Sequence, residues 1–421
     1  MLSKVCGIDF GTSNSACAVA NQKRDQKIEL IPVEDGKITT PSALFFDSDE
    51  NDIYFGRAAQ KAYMDGFEGR FMRSLKRVLG TGLMADKTVV NGRATSFQNI
   101  IGAFLKNMKK QTEDYCGFEL NDVVMGRPVY FVDNNETANQ QAQNQLEEIS
   151  KSIGFNNVDF QFEPIAAAFA HERNLSGEKL AFVVDIGGGT SDFTVIRLAQ
   201  ERLHNINRTQ DILANTGVRI GGNDFDKDLS VKIMMPHMGY NTTYGEKNLT
   251  MPKIDYHDLS EWSKINIVYA PKTVRYYHQI LRQSHEPEKL KRFVHILEAQ
   301  LGHRLLHSTE MSKIELTNSY DYNIGLDYVE ESLSLSVTRD DLNKAISATI
   351  DKVICHVYEC VKLAQVRTED VNLIILTGGS TEIPYVQMVL SKIFPHAEIS
   401  QGDKLSSVAL GLAYDARRKF L

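Results

Sequence analysis

Val5-Cys6-Gly7-Ile8-Asp9-Phe10-Gly11-Thr12-Ser13-Asn14 and Phe182-Val183-Val184-Asp185-Ile186-Gly187-Gly188-Gly189-Thr190-Ser191-Asp192 are the two stretches on which the reading of this chain turns. Each ends an apolar run in an Asp, follows it with glycine and small hydroxyl residues, and then resumes an apolar run (Ala16 to Ala20; Phe193 to Ile196). That pattern predicts a β-hairpin. Glycines in a tight turn let backbone N–H groups converge into an anion-binding nest. The Asp beside each nest would repel a naked phosphate but suits a phosphate carrying Mg²⁺, held through the ion's own waters. One such loop is weak. Two of them, with Asp9 and Asp185 176 residues apart, predict a duplicated fold gripping a polyphosphate from both sides.

Working outward, Ser42 to Phe46 reads as a strand-like edge and Arg57 to Gly80 as a basic helical stretch. Ile100, Ile101, Phe104, Leu105 and Met108 give Ser96–Glu113 a helical face. Strands are expected at 123–125 and 129–132, a helix from Glu136 to Ile153 stopped by Gly154, and a strand from Val158 to Phe162. Glu163-Pro164 followed by alanines is a helix start whose small residues allow close packing. In the second half Gly221-Gly222-Asn223-Asp224 reads as a glycine turn feeding a helix. Residues 239–269 show no clean period, and 287–314 read as one long helix. Thr338 with Asp341 is a capping signal for a helix reaching about Leu363. The strand Val371–Leu376 runs into Gly378-Gly379-Ser380 and a helix near Pro384, a third phosphate- or nucleoside-binding signal. A helix over 406–419 closes the chain.

The bulk numbers set limits. At 421 residues the chain is too long for one small core. A formal charge of −7 and no dense Lys/Arg tract argue against a nucleic-acid binder. No apolar run approaches the ~18–20 residues that span a membrane, and the start runs straight into the strand carrying Asp9 rather than forming a cleavable leader. Five cysteines without a C-x-x-C pair point to a reducing cytoplasm. His303 and His307 lack the Glu of a zinc-protease helix and read as a surface pair, and Cys355 and Cys360 read as packing residues. No P-loop, kinase catalytic loop or dinucleotide fingerprint is present.

Together these residues resemble the actin, sugar-kinase and heat-shock ATPase superfamily, and most closely the seventy-kilodalton heat-shock chaperones, in particular their short YegD-type relatives. The two hairpins match that family's phosphate loops. Leu75-Lys76-Arg77-Val78-Leu79-Gly80 matches its lysine segment, and Glu163-Pro164-Ile165-Ala166-Ala167 and Val408-Ala409-Leu410-Gly411-Leu412-Ala413 match its connecting helices. Glu310-Met311-Ser312-Lys313 and Gly378-Gly379-Ser380 match the two sides of its adenosine pocket.

The resemblance implies a two-lobed, actin-like α/β fold (a duplicated ribonuclease H-like unit) with ATP or ADP and Mg²⁺ in the interlobe cleft. Lobe I is expected over 1–179 with 401–421 and lobe II over 180–400, with peripheral subdomains at 39–115 and 229–332. It implies that Gly11, Thr12, Ser13, Asn14, Gly187, Gly188, Gly189, Gly221, Gly222, Gly378, Gly379 and Ser380 cradle the phosphates and sugar, and that Glu310 and Lys313 meet the nucleoside. Asp9 and Asp185 would hold the metal through waters, while Lys76, Glu163, Asp185 and Thr190 position the attacking water and the γ-phosphate. In phosphoryl transfer a protein mainly positions groups and neutralises charge, so these parts suffice.

Two departures stand out. Ile314 replaces the family's adenine-stacking arginine, a loss of ~0.5–2 kcal/mol of cation–π contact. The chain also stops eight residues after Ala413, before the linker, peptide-binding domain and lid of full-length relatives. The implied function is slow ATP hydrolysis in a chaperone-like switch, with unfolded-protein clients or co-chaperones docking on the lobes. A sugar-kinase-like phosphotransferase, an actin-type filament and a nucleotide sensor are the rivals.

Overall fold

The first hairpin nucleates a sheet, and the second repeats it strand for strand. In a computed structural model, which describes residues 4–20, 28–173, 175–203, 205, 208–400 and 406–421, strands β1 (Val5–Phe10), β2 (Asn14–Ala20), β3 (Ile28–Leu30), β4 (Asp122–Arg127) and β5 (Asn157–Phe162) form one sheet in the order β5-β4-β1-β2-β3. Thr39–Pro41 adds to β2. Strands β6 (Lys179–Ile186), β7 (Ser191–Leu198), β8 (Ile212–Val218), β9 (Leu373–Thr377) and β10 (Glu398–Ile399) form the other, in the order β10-β9-β6-β7-β8. In both, the Asp-bearing strand pairs antiparallel with its hairpin partner and parallel with its other neighbour. The helices repeat too. α1 (Phe97–Cys116) precedes β4, α2 (Glu136–Ser152) joins β4 to β5, and α3 (Glu163–Glu172) follows β5. α4 (Arg339–Leu363), α5 (Pro384–Ile393) and α6 (Ser407–Phe420) stand in the same places around β9 and β10. Mixed sheets flanked by helices in this duplicated order are the two-lobed, actin-like plan.

Both sheets belong to one compact unit made of residues 1–221, 353–382 and 386–421. Its core is continuous. Val5, Ala18 and Val124 of the first sheet and Ala181, Val183 and Ile375 of the second pack in one cluster with the alanines of α3 and with Val408, Leu412 and Ala413 of α6. Small residues make this possible. A Cβ built on Gly411 of α6 would overlap the Ala166 carbonyl of α3, so the two helices touch backbone to backbone. A second cluster buries α1, α2 and the other face of the first sheet, through Phe10, Ile101, Phe104, Met125 and Leu146.

The second unit is 222–352 with 383–385. Its helices Lys253–Leu259, Pro271–Leu281 and Pro287–Glu298 meet in an aromatic cluster. There the Tyr256 and Phe293 rings stack at 4.1 Å and Tyr277 meets Phe293 edge-on at 4.7 Å. Such packing needs no helical period across its loops, which explains why 239–269 was unreadable.

Capping chemistry placed several boundaries. Ser96 accepts from the Asn99 N–H, Thr338 and Asp341 bond reciprocally, and Gly154 takes φ +100° just past α2. Three expectations need correction. Residues 57–80 are not one helix. After Gly56–Met64 the chain enters the strand Gly69–Arg73, which pairs with Ala43–Asp47, and then a 3₁₀ turn at Leu75–Val78. The supposed long helix over 287–314 breaks into Pro287–Glu298 and Gly302–Asn318, because Gln300 takes φ +52° between them. Residues 129–132 form no strand. The Val129 N–H is instead taken by the Asp192 carboxylate, and the Phe131 and Val132 N–H groups by Asn139. Residues 1–3 and 401–405, on which the reading of the start and the lobe I boundary partly fell, lie outside the described residues.

Candidate functional site

The two Asp-Gly loops meet in one pocket. Both hairpins turn at the same end of their sheets, and within the first unit a cavity of about 80 Å³ is lined by Asp9, Gly11, Thr12, Ser13 and Asn14 of the first loop and Asp185, Gly187, Gly188 and Thr190 of the second. Thr377 at the end of β9 and Gly378 and Gly379 of the turn after it close a third side, and Lys76, Glu163 and Val408 complete the lining. The loops are in intimate contact. A side chain at Gly188 would run into the Ser13 hydroxyl, so glycine is what lets the second loop reach the first. Gly189 faces Thr12, Gly221 lies against Gly187–Gly189, and the Ser380 hydroxyl donates to the Gly187 carbonyl at 3.4 Å.

Local bonds hold each loop in shape. In the first, the Ser42 hydroxyl donates to the Gly11 carbonyl at 2.7 Å and the Ser42 N–H to the Ser13 carbonyl at 2.8 Å. In the second, the Gly187 N–H donates to the Thr190 carbonyl at 3.0 Å. The two first-loop bonds use loop carbonyls, as a cradle for an anion requires, and the second-loop bond closes its turn with the Gly187 N–H.

Lys76 reaches the pocket from the 3₁₀ turn, which opens on buried Ser74 at φ +56°, a left-handed conformation that costs a non-glycine residue energy. Its ammonium makes a short ion pair with Glu163, the first residue of α3, and both side chains are under a tenth exposed. A buried pair of this kind is retained for position more than for stability.

The electrostatics are unbalanced. Glu163, Asp185 and Asp192 are buried in or beside the pocket and Asp9 is half-buried in its lining, and Lys76 is the one cation among the described lining residues. Burial and then the Glu163 carboxylate push the Asp9 carboxyl up to about 7, against the pull of Lys76. The same two causes push Asp192 to about 7, although a Val129 N–H at 2.6 Å and the Thr190 hydroxyl oppose them. Asp185 is also raised, by burial and by the carboxylates of Glu163, Asp192 and Asp9. For Lys76 burial works against its charge, but Glu163 and Asp9 outweigh it and its pKa stands above the ordinary value. A cation bound beside these carboxylates would favour their charged forms again. Among the described residues no three His, Cys, Asp or Glu side chains converge as direct metal ligands.

Of the residues singled out in the sequence, Gly222, Glu310 and Lys313 belong to the second unit. There Lys313 is buried, pairing with the Asp226 carboxylate at 2.8 Å and donating to the Gly222 carbonyl at 3.2 Å. Ile314 beside it is 45% exposed. One residue was missed. Asp192, fully inside the hairpin and electrostatically tied to Glu163, Asp185 and Lys76, was quoted as part of the second loop but given no role. Its place opposite Asp185 in the β6–β7 register was the available clue.

Comparison with known proteins agrees with this architecture. The sequence pattern of the family described as "Hsp70 protein" matches residues 5–245 and 285–417. The chaperone protein DnaK of Thermosipho melanesiensis is 27% identical over 419 residues, covering 98% of this chain and 59% of the relative. The DnaK of Thermosipho africanus is 27% identical over 422 residues, covering 98% and 58%. This chain therefore spans just under three fifths of the length of these curated relatives. The unmatched segment, 246–284, falls in the aromatic-cored second unit. With that pattern matched from residue 5 to residue 417 apart from 246–284, the chain belongs to the Hsp70 family.

Proposed function

We propose that this chain is a nucleotide-switched, Mg²⁺-dependent ATPase that converts ATP and water slowly to ADP and phosphate. Its role is chaperone-like, with unfolded-protein clients or co-chaperones as partners. The observation that carries this reading is the meeting of two glycine loops, from two sheets of one plan, around a pocket lined by Lys76, Glu163, Asp9 and Asp185, with Asp192 electrostatically coupled to it. DnaK relatives along 98% of the chain support it.

In this reading the loop N–H groups with Thr12 and Ser13 bind the β- and γ-phosphates. Bound Mg²⁺ would neutralise phosphate charge, with Asp9 and Asp185 holding its waters. Glu163 orients Lys76, and the two fix the attacking water in line, with Thr190 beside the γ-phosphate. Glu310, Lys313, Gly378, Gly379 and Ser380 hold the nucleoside, between lobes drawn at 1–179 with 401–421 and at 180–400. Contacts made only to the γ-phosphate favour one lobe arrangement, and its loss releases it. All five cysteines are free, which supports a cytoplasmic location, and no described helix is long and apolar enough to cross a membrane.

The test is hydrolysis with Mg²⁺ under single- and multiple-turnover conditions. Slow ADP formation that Lys76→Ala removes is the expected result. Tight nucleotide binding with no turnover would leave a sensor instead, and turnover that depends on a small hydroxylated acceptor would make the protein a phosphotransferase.

A further inference from the structure

The segment left unmatched by the family pattern, 246–284, carries a surface of its own. From Trp262 to His285 there is no Asp or Glu, while Lys264, Lys272, Arg275 and Arg282 place four cations there, in a chain of formal charge −7. At the centre of this stretch is the helix Pro271–Leu281. Its inner face buries Tyr277 and Ile280, with Tyr277 against Phe293. Lys272, Arg275, Tyr276 and Gln279 share the outer face at helical spacing, all exposed, and Arg282 continues it just past the last turn. From Lys272 to Arg282 the row runs about 15 Å. The Tyr276 hydroxyl bonds with Tyr244, which fixes its ring within the row.

The helix gains nothing from these charges. Lys272 stands in the first turn, which has no acidic residue and where the helix dipole opposes a cation. Two carboxylates approach from neighbouring elements, and both bond elsewhere. Glu298 bonds with His278 at 2.8 Å, and Asp255 accepts from the Tyr277 hydroxyl at 2.8 Å. Lys272, Arg275 and Arg282 have no carboxylate partner among the described residues. Other cations of the same unit are paired: Lys264 with Glu261, Lys289 with Glu286, Lys291 with Glu288 and Arg292 with Glu330. Exposed helix faces commonly interleave the two signs. This one sets three uncompensated cations around a tyrosine, and Arg and Tyr are the residues that most often anchor interfaces.

We propose that the outer face of the helix Pro271–Leu281 is a docking surface for an acidic peptide segment of a partner protein, whose carboxylates pair with Lys272, Arg275 and Arg282 around the Tyr276 ring. Charge complementarity decides the occupant. A row of ~15 Å matches about four or five extended residues, a short acidic run. A nucleic acid or an anionic membrane would reach past it, over a chain that is acidic as a whole. The two guanidinium groups offer carboxylates paired N–H donors. This face belongs to the second unit, and docking on it needs no nucleotide chemistry.

The experiment is fluorescence anisotropy of a labelled polyglutamate peptide titrated with the full chain at low ionic strength. Wild type is expected to bind, with affinity falling as salt is added. Arg275→Gln and Arg282→Gln should each weaken binding by ~5-fold or more, and the two combined with Lys272→Gln should remove it. Lys110→Gln, which takes the same charge from an exposed helix position of the first unit, should leave it unchanged. Should the triple variant lose its circular-dichroism spectrum, the single substitutions decide. No binding to wild type would overturn the proposal, as would binding that survives the substitutions or is weakened equally by Lys110→Gln. Tighter binding of an oligothymidylate or of phosphatidylserine vesicles under the same conditions would also overturn it.

Discussion

The two halves of the first unit share a plan but not a chemistry. Strand for strand, β1-β2-β3-β4-β5 repeats as β6-β7-β8-β9-β10, and each half ends its first strand in an Asp-Gly loop. The first half adds what the second lacks. The insertion before α1 carries Lys76, and α3 opens on Glu163, where its counterpart α6 opens on Ser407 and Val408. The second half spends its insertion on the unit that starts at Gly222. In the proposed function the duplicated part is the cradle for phosphate, and the unduplicated pair is the positioning device. Grip should therefore depend on both halves and turnover on the first.

The largest effect follows from that asymmetry. Lys76→Ala or Glu163→Gln should lower single-turnover hydrolysis by about 10²–10³-fold, with nucleotide affinity changed far less. Loss of binding in proportion to loss of rate would erase the distinction. Next, Gly188→Val drives a side chain into Ser13. It should weaken nucleotide binding by ~10-fold or more, measured by calorimetry, whereas a loop that merely turns would tolerate it.

The third prediction concerns one carboxyl from each hairpin. Asp9 and Asp192 are both raised to about 7, from an unfolded value of about 3.9. At these two groups the folded state therefore binds more protons, and the stability they contribute is fully present below about pH 4 and is lost as pH rises through about 7. Nucleotide- and metal-free protein should melt a few degrees lower at pH 8 than at pH 6, and Asp192→Asn should flatten that profile. A melting temperature that rises across this range would contradict the electrostatic picture. The smallest effect is expected at Ile314→Arg, which should tighten adenine-nucleotide binding by up to ~2 kcal/mol. Equal affinities would show that the position does not face the base.

Much of this was legible because glycine, Asp and proline act locally. The loops at Gly11 and Gly187–Gly189, the caps at Ser96 and Thr338, and the start at Glu163-Pro164 each state their own geometry. What was not legible depends on partners distant in sequence. Phe71 and Met72 enter a strand only because Ala43–Asp47 lies alongside. Val129 stays out of one because Asp192 takes its N–H. Asp192 itself looked like a turn residue until burial beside Glu163 gave it a shifted carboxyl.

The central claim is that both loops hold one metal-bound polyphosphate. Calorimetric titration with ADP over a range of Mg²⁺ concentrations tests it on wild type, Asp9→Asn and Asp185→Asn. The account expects one nucleotide per chain and, for each substitution separately, about ten times more Mg²⁺ to reach the same affinity. A Mg²⁺ dependence left unchanged by either substitution would contradict it.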